Sequence, residues 1–184
     1  MTSERIFPDR TSAGAALGRE LQRRRLRPPL LVLGLPRGGV PVAYEVAQVL
    51  KAPLDVMLVR KIGMPGWPEL AIGAVASGNI LVRKPPLETD IPAETFEQLA
   101  EEQRRELVRR ERVYRGDRRP LELKGKTVIL VDDGLATGAT MLAAVRAARD
   151  AGGGAHGRDL PPPGRHLQAR LAVALGIGAV RPAR

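Results

Sequence analysis

The chain has 184 residues, 43% hydrophobic and only 3% aromatic, with no cysteine and with 30 Lys plus Arg against 20 Asp plus Glu, a net charge of +10. That length suits one domain with a sizeable core, the core must be aliphatic, and disulfides, thiol nucleophiles and cysteine-based metal sites are excluded. No apolar run approaches the roughly 20 residues of a membrane span and no signal-peptide pattern is present, so a cytoplasmic enzyme is expected, while the positive charge alone suits nucleic acid, a membrane surface or a small anion equally.

Asp9 to Arg25 reads as a helix with Leu17 and Leu21 four apart, capped near Thr11 or Ser12. Leu30 to Leu35, introduced by Pro28-Pro29, is a strand candidate that runs into Pro36-Arg37-Gly38-Gly39. Arg37 between a proline and two glycines is a cation on a tight loop whose amides can face an oxygen-rich anion. Pro41 suits a first helical turn, and Val42, Val46, Val49 and Leu50 mark an apolar helix face.

Leu54 to Val59 is the next apolar run, and it delivers Arg60 and Lys61. Gly63 to Pro68 holds two Gly and two Pro and reads as a loop. Beside it, Glu69 and the single Trp67 are weak candidates for an acceptor contact; a loop acid is more often solvated and a lone Trp more often packed. Residues 70–83 alternate small and apolar types and read as a hairpin.

Ala93 to Tyr114 reads as a long charged helix with Phe96, Leu99, Leu107 and Val113 as apolar members, suited to a homodimer contact or to covering a site. Residues 101–119 hold eight Arg interleaved with Glu101, Glu102, Glu106, Glu111 and Asp117. Interleaved signs favour a solvated helix laced with ion pairs over a nucleic-acid surface.

Thr127 to Val131 is a β-branched run suited to a strand buried on both faces of a parallel sheet. Asp132 and Asp133 cannot continue it, so they sit at a carboxyl end, where ligands bind in open α/β sheets. Carboxylates there can accept hydrogen bonds from vicinal hydroxyls. The small residues Gly134, Ala136, Gly138 and Ala139 let amides approach an anion, Thr137 and Thr140 add hydroxyls, and Met141, Val145 and Ala148 place a helix after the loop. Three strands thus deliver Arg37, Arg60 with Lys61, and Asp132 with Asp133 to one sheet edge.

Residues 128–140 closely resemble the phosphoribosyl diphosphate motif of the type I phosphoribosyltransferases, a hydrophobic strand, two acids and a Thr-Gly-x-Thr loop. The likeness extends over about residues 5–150 and is strong to a subfamily of unassigned acceptor. It implies an α/β fold, a mainly parallel sheet flanked by helices on both faces, with residues 63–68 as a flexible lid. It further implies that Asp132 and Asp133 bind the ribose hydroxyls and lie near Mg2+, and that Gly134, Leu135, Ala136, Thr137, Gly138, Ala139 and Thr140 hold the 5-phosphate. Pro36, Arg37, Gly38 and Gly39 match the pyrophosphate loop, which in the family often contains a cis peptide, and Arg60 or Lys61 would follow the departing diphosphate. At Ala136 the hypoxanthine-guanine enzymes usually carry an Asp that contacts the purine, so that specificity is not expected.

The implied reaction transfers 5-phosphoribose from phosphoribosyl diphosphate to a nitrogen acceptor, a nucleobase-like one, releasing pyrophosphate. Rival readings are a non-catalytic phosphoribosyl diphosphate-binding regulator, a nucleic-acid-binding protein using the Arg-rich helix, and a defective truncated copy. The last arises because Gly, Ala, Pro and Arg fill 23 of the 34 positions of residues 151–184. All four have codons beginning with two G or C bases, so a frameshift in GC-rich DNA is expected to explain the tail, and resequencing an intact frame would reject it. On this reading residues 1–150 form the domain, 151–166 are disordered, and a core strand is missing, with Leu167 to Val180 as a poor substitute.

Overall fold

The computed structural model describes residues 7–83, 91–119, 121–134, 139–153 and 170–174. In chain order they form α1 (Arg10–Arg23), β1 (Leu30–Gly34), α2 (Gly39–Leu50), β2 (Leu54–Val56), β3 (Val59–Met64), β4 (Trp67–Ala76), β5 (Ile80–Arg83), α3 (Ala93–Arg115), β6 (Thr127–Val131), α4 (Ala139–Gly153) and β7 (Arg170–Ala174). A four-stranded sheet has the order β2-β1-β6-β7 with every pairing parallel. The strands β3, β4 and β5 form a separate antiparallel sheet.

Alternation along the central strands explains why helices cover both faces of the parallel sheet. Leu31 and Leu33 of β1 and Val128 and Leu130 of β6 pack with Met141, Ala144, Ala147 and Ala148 of α4. Val32, Ile129 and Val131 turn the other way, onto Leu17 and Leu21 of α1 and Val42, Ala43, Val46 and Ala47 of α2. Each fully buried Leu, Ile or Val contributes about 1.5–3 kcal/mol relative to exposure. The third cluster joins the antiparallel sheet, through Ile62, Ile72 and Val75, to Phe96, Ala100 and Leu107 of α3.

Several expectations shift at the element level. Asp9, not Thr11 or Ser12, caps α1, its carboxylate accepting from the Ser12 amide at 2.7 Å in a capping box. Val113 is 74% exposed and so is no core member, whereas Arg115, two residues on, is buried. Its guanidinium donates to both Asp55 carboxylate oxygens at 2.9 Å and to the Arg119 carbonyl, tying the end of α3 to β2. Burial pushes the Asp55 carboxyl up, but hydrogen bonds from Arg115 and the Val56 amide, with the nearby Arg charges, outweigh it and leave a lowered pKa.

The apolar run 54–59 is split: β2 ends at Val56, and Arg60 and Lys61 lie within β3 of the antiparallel sheet rather than on a loop. The segment 63–68 is no loop either, because a two-residue turn at Pro65-Gly66, with Gly66 at φ 78°, suffices to join β3 to β4. The second hairpin falls where residues 70–83 predicted it. Within the stretch 167–180 offered as a substitute, β7 pairs parallel to β6 from Thr127↔Arg170 to Val131↔Ala174, while most of the segment 151–166 read as disordered lies outside the described residues.

Candidate functional site

The adjacent strands β1 and β6 end together, at the pair Gly34↔Val131. The Leu35 amide still donates to the Val131 carbonyl at 2.9 Å, which holds the departing chain against the end of β6. Residues 36–38 then turn it into α2, with a cis peptide between Pro36 and Arg37. A Cβ on Gly39 would lie 2.6 Å from the Val131 carbonyl oxygen and 2.8 Å from the Asp132 Cα, and one on Gly38 would overlap the Asp133 carboxylate. Backbone leaves no room for a side chain at Gly39, and one at Gly38 would displace the Asp133 carboxylate. The glycine loop and the acid pair are therefore in direct contact, as two strands ending side by side would place them.

Asp132 is half-buried, and its Oδ1 accepts from the Asp133 amide at 2.9 Å. Burial, then the neighbouring Asp133 charge, pushes its carboxyl up against the lowering effect of that amide. The Asp133 Oδ2 accepts from Arg10 Nε at 3.1 Å and Nη2 at 2.8 Å. Arg10 opens α1, and sequence reasoning missed it: the contact spans 123 residues and belongs to no motif. Its only signal was a cation beside the helix cap Asp9.

Beyond the acids, Gly134 is exposed, and Ala139 and Thr140 begin α4. Leu135, Ala136, Thr137 and Gly138, expected from the sequence to hold a phosphate, lie outside the described residues, as does the side chain of Ala139.

The cations distribute differently from one shared edge. Arg37 is exposed and lines a cleft of about 220 Å³ with Arg60, Arg109, Arg110, Val113 and Tyr114. Lys61, next along β3, points to the opposite face, where it lines a smaller pocket with Leu142, Ala143 and Arg146 of α4. The structure thus brings Arg37 and Arg60 together and separates Lys61 from both. Arg60 Nε donates to the Gln103 side chain at 2.9 Å. Glu69 is exposed, and Trp67 is 73% exposed instead of packed.

On α3 the interleaved charges do pair along the helix, Glu101 with Arg104 and Arg105, and Glu106 with Arg109 and Arg110. Hydrogen bonds from Arg109 and Arg110 hold the Glu106 carboxyl down at about 2. No helix among the described residues is long and apolar enough to cross a membrane.

The family model described as "Phosphoribosyl transferase domain" matches residues 13–153. Two Mycobacterium tuberculosis proteins, from strains CDC 1551 / Oshkosh and ATCC 25618 / H37Rv and each named "Putative phosphoribosyl transferase", are 43% identical over 157 residues. Those matches cover 84% of this chain and 34% of each relative, so the chain spans about a third of the length of the curated relatives it matches. Among solved structures, TT1426 from Thermus thermophilus is 45% identical with a TM-score of 0.70, covering 80% of this chain and 71% of that one.

Proposed function

Because the chain belongs to the phosphoribosyl transferase domain family, we propose that it binds phosphoribosyl diphosphate and transfers the 5-phosphoribosyl group to a nitrogen acceptor of nucleobase type. In that reaction the bond from ribose C1 to the diphosphate oxygen breaks, pyrophosphate leaves with the electron pair, C1 bonds to nitrogen, and the nitrogen releases its proton. The observation that carries the reading is the contact of Gly38 and Gly39 with Asp133 and Asp132 at the carboxyl ends of adjacent parallel strands. It sets amides suited to a diphosphate beside carboxylates suited to a diol.

In this reading Asp132 and Asp133 accept from the ribose 2- and 3-hydroxyls. Residues 134–140 hold the 5-phosphate, aided by the N-terminal end of α4. The amides of the Pro36–Gly39 loop hold the diphosphate. Lys61 lies on the face of β3 turned toward α4, and in this reading it meets charge developing on the leaving group. Arg60 and the Arg37 side chain, which the sequence offered for the same diphosphate, line the cleft toward α3 instead.

The donor set also fits Mg2+. Both groups are hard oxygen ligands, and Mg2+ is commonly held by one or two carboxylates, with substrate phosphates and water completing its shell. When bound, Mg2+ would neutralise charge on the diphosphate. It would also favour the ionised form of Asp132, which burial disfavours.

The test is thermal stabilisation by phosphoribosyl diphosphate with Mg2+, followed by a screen of bases for pyrophosphate release. Stabilisation with base-dependent release supports the transferase. Stabilisation without release for any base supports the non-catalytic regulator, and no stabilisation of a folded sample sinks the donor assignment.

A further inference from the structure

Four guanidiniums, from the loop after β1 (Arg37), from β3 (Arg60) and from α3 (Arg109, Arg110), line the same cleft. Among the described residues one carboxylate answers them. Glu106 accepts from Arg109 Nε at 2.7 Å and Nη2 at 2.8 Å and from Arg110 Nε at 2.8 Å, and lies 3.9 Å from Arg60 Nη1. The Arg60 Nε is engaged by a neutral amide oxygen, that of Gln103. Three positive charges are therefore left uncompensated. Burial, then repulsion by Arg110, holds the Arg60 guanidinium below the usual arginine range despite Glu106. These cations are crowded together, which an anion would relieve.

The hydrogen-bonding pattern also fixes their free edges. A guanidinium carries five N–H donors in a rigid fork. The Glu106 bonds use Nε and Nη2 of Arg109 and Nε of Arg110, so Nη1 of Arg109 and both Nη groups of Arg110 remain for other oxygens. Forked donors in a fixed arrangement suit phosphate oxygens better than single carboxylates in water. A cleft of about 220 Å³ is smaller than the roughly 300–1,000 Å³ typical of pockets for drug-sized ligands. It therefore suits a short phosphate chain rather than a whole nucleotide.

Neither acid of the donor site lines this cleft. The Pro36–Gly39 loop turns its glycines to Asp132 and Asp133 and its Arg37 side chain to α3. We propose that the cleft between this loop, β3 and α3 is a second anion site, separate from the donor pocket, that binds a short phosphate chain through Arg37, Arg60, Arg109 and Arg110. The site does not depend on the transferase reading, although one loop serves both.

Inorganic tripolyphosphate is the probe, titrated calorimetrically into the full chain with sulfate at matched ionic strength as the control. The expected result is one equivalent bound in preference to sulfate, at least tenfold more weakly in Arg109→Ala plus Arg110→Ala, and undiminished in Asp132→Asn plus Asp133→Asn. Glu106→Gln, which removes the competing carboxylate but keeps every cation, is expected to tighten binding severalfold and carries the test if the double Arg variant misfolds. The proposal is overturned by no binding, by equal affinity for sulfate, by an unchanged affinity in the double Arg variant, by loss of binding in the acid-pair variant, or by weaker or unchanged binding in Glu106→Gln. Loss in the acid-pair variant would assign the tripolyphosphate to the donor pocket and leave the transferase reading standing.

Discussion

Asp133 has two neighbours that set its position, the Arg10 guanidinium on one side and the Gly38 backbone on the other. Gly38→Ala must displace the Asp133 carboxylate, the end of a flexible side chain. The cost in stability should be small, but displacing Asp133 should weaken donor binding at least tenfold, measurable as a smaller shift in melting temperature with phosphoribosyl diphosphate. Asp132→Asn plus Asp133→Asn should abolish that shift while leaving a folded chain. The two acids and both glycines were legible in the sequence because each follows an apolar strand and sits in a short motif. Arg10 was not, since a contact across 123 residues leaves no local pattern.

At the scale of elements, the Asp55–Arg115 pair fastens α3 to the edge strand β2, with side-chain exposures of 17% and 6%. Arg115→Ala would strand a mostly buried carboxylate and should cost about 3 kcal/mol or more, seen as a lower denaturation midpoint. The pair also sets a pH dependence. The Asp55 pKa is lowered on folding, so the unfolded chain binds more protons in the acid range. Its stabilisation is thus complete above the ordinary aspartate value of about 4 and is lost as pH falls through the lower folded value. In Asp55→Asn, melting temperature against pH should lose that component of the acid decline. A decline as steep as in the unsubstituted chain would exclude the assignment.

Helices and parallel strands were the readable part, because their 3.6- and 2-residue periods and Leu, Ile and Val content match what they bury. The antiparallel sheet was harder. Pro65, Gly66 and Pro68 announce a loop by composition, yet the turn needs only Pro65 and Gly66 and the chain pairs on either side of them. Arg60 and Lys61 then occupy strand positions, and strand geometry alone sends them to opposite faces. Val113 fits the helical period of α3 but falls where no element among the described residues covers it.

For the whole molecule, the question is how two sheets are joined. The Met57 amide donates to the Gly34 carbonyl at 3.1 Å, continuing the parallel sheet to the point where the chain leaves it. The next residue, Leu58, donates its amide to Ser77 Oγ at 2.9 Å, and its carbonyl accepts from the Ser77 amide at 2.9 Å. Ser77 is fully buried. Ser77→Ala would leave the Leu58 amide unpaired, costing about 1–3 kcal/mol, or several degrees of melting temperature at this chain length.

That clamp makes the β3–β4 hairpin a lever with a fixed fulcrum. Its base is anchored beside the end of β1, its far end is the turn at Pro65-Gly66, and the exposed Trp67 rides on the tip. Whatever bending the hairpin undergoes is therefore borne by the outer end, where the pairing register already slips at Gly63. Hydrogen exchange should follow this gradient, with the Leu58 amide the slowest and those around Gly66 the fastest, and Ser77→Ala should erase the protection at the base while leaving the tip as it was.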